Sequence, residues 1–336
     1  MKKLFLSLVA AIVATTATFA QNSLVATLSH GEEITMYYGA YALRDAMNAA
    51  ASGDIINLSG GGFQAVDITK GVTLRGTGID DAAPTYITGS FNINIPAADA
   101  NRLSMEGIRC TDYITMLGTF NSPYFIKSHF KTVYYDTNSA IKNAMFANCR
   151  IYENLTLKGS STTQFLNCYL DGFYNSGYPS TAATFINCVL RPYSDGYYPD
   201  YICQSQLLNC VIYQSYYSLG SISRNLPAST IATNCVSIGF YNLFGAQPAN
   251  TNNYNATFAE VFKDFTGSYS DSQTFELTDE AKTKYLGNDG TQVGMYGGVL
   301  PYSSTPSYPP ITTMNVANKT TADGKLSVEI EVSAAK

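Results

Sequence analysis

Few residues in this sequence have types and spacing suited to catalysis. The best-placed carboxylates are Asp171-Gly172 and Asp195-Gly196. General acid–base chemistry needs a partner within hydrogen-bond reach, and a calcium ion needs several converging oxygens. Each of these Asp residues stands alone, where a turn favours Asp-Gly. His30 and His129 have no partner motif and read as structural or exposed. Arg75, Arg109, Lys127 and Arg150 recur at nearby places in successive segments. They could form a basic stripe for acidic sugars, but such residues are more often solvated outward positions. The sequence therefore offers no catalytic residue, no metal ligand set and no cofactor motif.

The aromatic residues give a more informative signal. "DGFYNSGYP", "RPYSDGYYPDY", "YQSYYS" and "GFYNLFG" follow successive copies of one short motif. The expected ligand-binding residues are Tyr174, Tyr178, Tyr193, Tyr197, Tyr198, Tyr213, Tyr216, Tyr217 and Tyr241, with Phe173 and Tyr201 in the same stretches. Tyr offers a flat apolar face and a hydrogen-bonding tip, which suits a sugar ring. The alternative is that these tyrosines only pack loops onto the body of the protein.

The motif that sets their spacing is Asn-Cys in an apolar frame. Cys149, Cys168, Cys188, Cys210 and Cys235 are separated by 19, 20, 22 and 25 residues, and each follows an Asn. An apolar residue stands two before the Asn in the first four copies: Phe146, Phe165, Phe185 and Leu207. Another stands two after the Cys: Ile151, Leu170, Leu190 and Ile212. "FIKSHF" and "MEGI" fit the frame, with Lys127 and Gly107 at the Asn position. Periods of this length indicate a solenoid. Asn and Gly tolerate the left-handed backbone of a sharp bend, and Cys is a small inward hydrophobe.

In a parallel β-solenoid, equal positions stack about 4.8 Å apart. The Asn side chains are then expected to hydrogen-bond up the stack as a ladder. The cysteines stack with parallel side-chain vectors, which disfavours disulfides, so mostly free, buried thiols are expected. The seven cysteines are an odd number, and they are too buried to act as nucleophiles. A leucine-rich repeat is the rival fold. It requires Leu-x-x-Leu-x-Leu before the Asn, and "GSSTTQFL" and "YPSTAATFI" lack it.

Upstream, "GAYALRDAMNAAASGDIINLSGGGF" places Ala42, Leu43, Ala46, Met47 and Ala50 on one helical face, ahead of a strand. Such a helix would cover the open end of a solenoid. "ALRDAMNAAASGDIINLSGGGF" followed by "ITKGVTLRGTG" resembles the start of right-handed parallel β-helix proteins of the pectate-lyase-like superfamily. "ATLSHGEEITMYYG" and "GNDGTQVGMYGG" resemble secreted members from Bacteroidetes-type bacteria. The resemblance implies an all-β, right-handed parallel β-helix with an N-terminal capping helix and a C-terminal β-hairpin. Many enzymes of that superfamily cut acidic polysaccharides, with calcium-binding carboxylates plus an Arg or Lys base, or with Asp groups near Gly-His-Gly. Neither arrangement is present.

Residues 1–20 read as a signal peptide: Lys2 and Lys3, a short apolar stretch, then small residues ending at Ala20. The expected organisation is residues 21–54 for an N-terminal strand and helix, 55–300 for the β-helix and 301–336 for a linker and hairpin. Charged residues are only 13% and the net charge is −5, which disfavours nucleic acid. No apolar run suits a membrane span. The expected protein is exported: periplasmic, secreted or on the cell surface. Its leading function is non-catalytic binding of a glycan or surface through the Tyr-rich loops. The alternatives are a polysaccharide lyase or glycoside hydrolase with a diverged site, and an adhesive or structural scaffold for a protein.

Overall fold

The computed structural model describes residues 24–80, 83–175, 181–192, 202–214 and 225–308, together with the backbone of strands Ile311–Val316 and Val328–Val332. The expected signal peptide lies outside these residues. The chain forms a parallel β-solenoid of about 8 turns. Among the described residues, two eleven-stranded sheets run along it. One takes in Ser104–Glu106, Tyr124–Ile126, Ala144–Ala147, Thr162–Leu166, Ala182–Ile186 and Ser205–Leu208. The other takes in Ile108–Met116, His129–Tyr135, Arg150–Leu157, Tyr169–Asn175, Val189–Pro192 and Val211–Tyr213.

The repeat frame sets the interior. Met105, Phe125, Phe146, Phe165, Phe185 and Leu207 align in register. The four Phe rings stack with centroids 4.5, 5.1 and 5.0 Å apart. Phe130, Ile151, Leu170, Leu190 and Ile212 form the facing column. Between the columns the chain bends at Gly107, Lys127, Asn148, Asn167, Asn187, Asn209 and Asn234, all with φ between 48° and 65°. Cys149, Cys168, Cys188, Cys210 and Cys235 follow the bends as buried thiols outside any disulfide, as does Cys110 elsewhere in the core. Burial pushes the Cys168, Cys188, Cys210 and Cys235 thiols well up, which keeps them inert.

The N-terminal part contains two strands where one is expected. Val25–His30 and Glu33–Tyr38 pair antiparallel, and Val25–His30 also pairs antiparallel with Ile55–Leu58. Helix Ala42–Ala49 buries Ala42, Leu43, Ala46 and Met47 in the main core, and Ala50 joins them. Lys70 Nζ donates to the carbonyls of Met47, Asn48 and Ala50, satisfying groups at the helix end. Strands Ile311–Val316 and Val328–Val332 pair antiparallel.

The expected Asn ladder is corrected. One contact links neighbouring Asn side chains, Asn209 Nδ2 to Asn187 Oδ1 at 3.5 Å. The stronger partners come from a returning C-terminal strap. Asn209 Nδ2 donates to Asn288 Oδ1 at 3.1 Å, and Asn288 N donates to Asn209 Oδ1 at 3.2 Å. Asn187 Nδ2 donates to the Gln292 carbonyl at 3.4 Å. Asn167 Nδ2 donates to the carbonyls of Met295 at 2.9 Å and Gly297 at 2.7 Å. Ser303 N donates to Asn148 Oδ1 at 3.3 Å, and Ser307 N to Glu106 Oε1. The strap descends the line of bends, one coil after another. It fits because Gly297 has no side chain: a Cβ there would stand 2.5 Å from Asn187 Nδ2.

Asn167→Gly keeps the left-handed bend but removes both strap bonds. It should destabilise the protein by about 1–3 kcal/mol in urea unfolding. Stability equal to the wild type would show that the strap bonds contribute nothing.

Candidate functional site

Strand alternation turns the residue after each Cys outward. The outward column in register with these residues runs Tyr86, Arg109, His129, Arg150, Tyr169, Val189, Val211, Val236 and Tyr254. The column is apolar toward the C-terminal end and cationic toward the N-terminal end. Residues 257–303 fold back over it as a second layer. Val189, Val211 and Val236 pack there with Val261, Phe262, Phe265, Phe275 and Leu277 in a separate apolar cluster. The layer begins with helix Phe258–Val261, whose Thr257 and Glu260 form a capping box.

Over the cationic part, the layer contributes Tyr269 and Asp271. Arg109 Nη2 lies 2.5 Å from Asp271 Oδ2. Tyr269 Oη donates to Asp271 Oδ1 at 3.1 Å and lies 2.8 Å from His129 Nε2. With its one hydrogen given to the carboxylate, the Tyr269 hydroxyl must accept from His129 Nε2–H. Arg150 Nη1 donates to the Asp271 carbonyl at 3.0 Å. The Tyr269 ring stacks on Tyr152 and Tyr169, with centroids 5.6 and 5.0 Å away.

These surroundings set the charges. Burial, together with the positive charges of Arg109 and Arg150, pushes the His129 pKa down to about 3. Partial burial opposes ionisation of Asp271. The hydrogen bond and charge of Arg109 more than offset this, and its carboxyl sits below the usual range. His129 is therefore neutral and Asp271 ionised at neutral pH.

Beside this cluster lies an open depression of about 600 Å³. Its lining includes Asp80, Arg150, Asp271, Tyr296, Tyr302 and Ser303. Arg150 is 6% exposed, and no carboxylate among the described residues pairs with it within 4.0 Å. Its Nε has no hydrogen-bond partner, nor does the Tyr302 hydroxyl. The guanidinium carbon stands 5.0 Å from the Tyr302 ring centroid and 5.8 Å from that of Phe275.

A second buried polar group lies further along the same sheet. Arg191 binds Asp171 Oδ1 through Nε and Nη2. Tyr169 Oη donates to Asp171 Oδ2 at 3.0 Å, and the Tyr213 hydroxyl lies 2.8 Å from Tyr169 Oη. Burial raises the Asp171 pKa despite the opposing pull of Arg191. Asp171 is thus part of a buried network rather than an isolated turn residue, although Gly172 beside it does have φ of 59°. Asp195 lies outside the described residues.

Several expected positions are corrected. Arg109 and Arg150 are not solvated; they are covered by the C-terminal layer. Lys127 sits at a bend, away from their column, and Arg75 stacks over Tyr308 at 5.3 Å. Among the tyrosines, Tyr213 is fully buried, with its ring against Phe258 and Phe265, so it presents no face to solvent. Phe173 is inside the main core. Tyr174 is half-buried beside Thr156 of the preceding coil, and Tyr241 is 59% exposed. Tyr178, Tyr193, Tyr197, Tyr198, Tyr201, Tyr216 and Tyr217 lie outside the described residues. His30 is exposed, with Nδ1 2.7 Å from buried Asp54. Among the described residues, no group of three His, Cys, Asp or Glu could hold a metal ion. The chain matches no family model, no curated protein and no solved structure.

The burial of neutral His129 makes stability depend on pH. Its folded pKa is depressed, so the unfolded chain takes up the proton first, near pH 6.5. Stability is complete above that value and falls as the pH drops from about 6.5 toward 3. Between pH 7 and pH 5 the loss should be about 2 kcal/mol, measured by urea unfolding. His129→Gln should remove most of it. An unchanged pH slope in that variant would exclude His129 as the source.

Proposed function

We propose that the chain is an exported, right-handed parallel β-helix protein of the pectate-lyase-like type. It binds a neutral or weakly acidic glycan chain, or a surface bearing one, through its Tyr-rich loops and without cleavage. Helix Ala42–Ala49 caps the N-terminal end of the core, and a C-terminal hairpin follows the strap. The observation that carries this reading is the recurrence of tyrosines after successive Asn-Cys strands. The parallel registers of those strands stack equal positions coil on coil. Extended aromatic patches on exported proteins mark interaction sites.

A second reading is favoured by Asp80 and Asp271, which converge with Arg150 on one depression. Two carboxylates beside a base are the arrangement of a polysaccharide lyase or glycoside hydrolase. Against it, the Asp271 carboxylate is already held by Arg109 and Tyr269. A scaffold that binds a protein would instead use a large apolar patch.

A glycan-array screen of the mature protein should return a ligand, with affinity then measured by calorimetry. Tyr174→Ala, Tyr197→Ala and Tyr216→Ala combined should weaken binding about a hundredfold, at about 1 kcal/mol per aromatic contact. Unchanged affinity would remove the tyrosine loops as the site. Steady release of new reducing ends or unsaturated products by the wild type would establish the enzyme reading.

A further inference from the structure

We propose that the depression walled by Arg150, Tyr296 and Tyr302 is a binding site for an oxyanion, borne by its ligand as a carboxylate, sulfate or phosphate. The outward Arg column and the returning C-terminal layer build this site, and its lining includes no residue of the tyrosine loops among the described residues. The starting observation is a buried guanidinium without an ion-pair partner within 4.0 Å among the described residues. Arg150 is 6% exposed and lacks a carboxylate partner among the described residues, while the equivalent cation two coils away, Arg109, has Asp271. Removing a guanidinium from water is unfavourable by several kcal/mol unless charge and hydrogen bonds compensate. One backbone carbonyl and two aromatic rings compensate only in part.

The donors at this place match that deficit. Arg150 Nε and the Tyr302 hydroxyl both lack a partner just behind the surface of the depression, and both residues line it. Ser272, Thr274 and Ser303 bring hydroxyl groups to the same wall. A guanidinium presents its donors as a planar fork, which fits two oxygens on one centre better than a single-atom anion. Asp271 leaves the role open because its carboxylate faces Arg109 and Tyr269. Asp80 is exposed on the lining and makes no ion pair with Arg150. A metal cation is disfavoured by the guanidinium itself.

The test is calorimetric titration of the full mature chain with sodium acetate, sodium sulfate and sodium phosphate. Each is set against sodium chloride at matched ionic strength. At least one oxyanion should bind saturably at one site per chain, and the one that binds identifies the group. Arg150→Gln should weaken binding at least tenfold, and Tyr302→Phe at least threefold. Arg75→Gln, outside the lining of the depression, should leave it unchanged. No saturable binding of any of the three would overturn the proposal, as would wild-type affinity in Arg150→Gln. If Arg150→Gln does not fold, Tyr302→Phe decides, because it removes only the hydroxyl; unchanged affinity there is equally contrary. The triple tyrosine variant should keep this site, so loss of glycan binding and loss of oxyanion binding are separable.

Discussion

Each coil must change direction between its two sheets, and from Gly107 to Asn234 it does so on one residue in the left-handed region. For most residues this backbone is unfavourable by about 1–2 kcal/mol, and Asn or Gly tolerates it best. At Asn148, Asn167, Asn187 and Asn209 the bend also exposes an amide whose hydrogen-bonding capacity must be met away from water. The returning strap meets most of it. The Nδ2 of Asn148 alone in this series has no partner. The bend thus fixes the inward columns on one side and the docking line for the strap on the other.

That docking has consequences for the outer face. Once the chain returns over the solenoid, the column after the cysteines becomes an interior surface. Its valines bury against the layer. Its polar residues cannot stay solvated and need partners from the layer. Asp271 serves Arg109, Tyr269 serves His129, and Arg150 receives a carbonyl and aromatic faces. One sheet therefore carries two cores, and the polar cluster lies where the second core gives way to the depression.

The first core is readable from sequence because its signals are local. The Phe before each Asn and the apolar residue after each Cys mark the two inward columns. The helical face from Ala42 to Ala50 is equally direct. The strap is not readable this way. Its bonds to Asn167 join residues 128 and 130 positions apart, and only coil stacking brings them together. "GNDGTQVGMYGG" reveals the close approach of Gly297 to Asn187 only once the coils are stacked. The covered outer face does leave a trace: Val189, Val211 and Val236 immediately follow cysteines at a position that strand alternation turns outward. Arg109, Arg150 and Asp171 taken singly look like surface residues, and their partners come from distant segments or another coil.

The central claim is that the strap and the coils it crosses form one cooperative unit. Native-state hydrogen exchange with residue resolution tests it most directly. The Gly294 amide donates to the Asn209 carbonyl, and the Val211 amide to that of Cys188. The two should open with the same free energy and share the same dependence on denaturant, since locally independent segments open separately. Exchange at Gly294 through a low-energy local opening, with Val211 still protected to the level of global unfolding, would contradict the account.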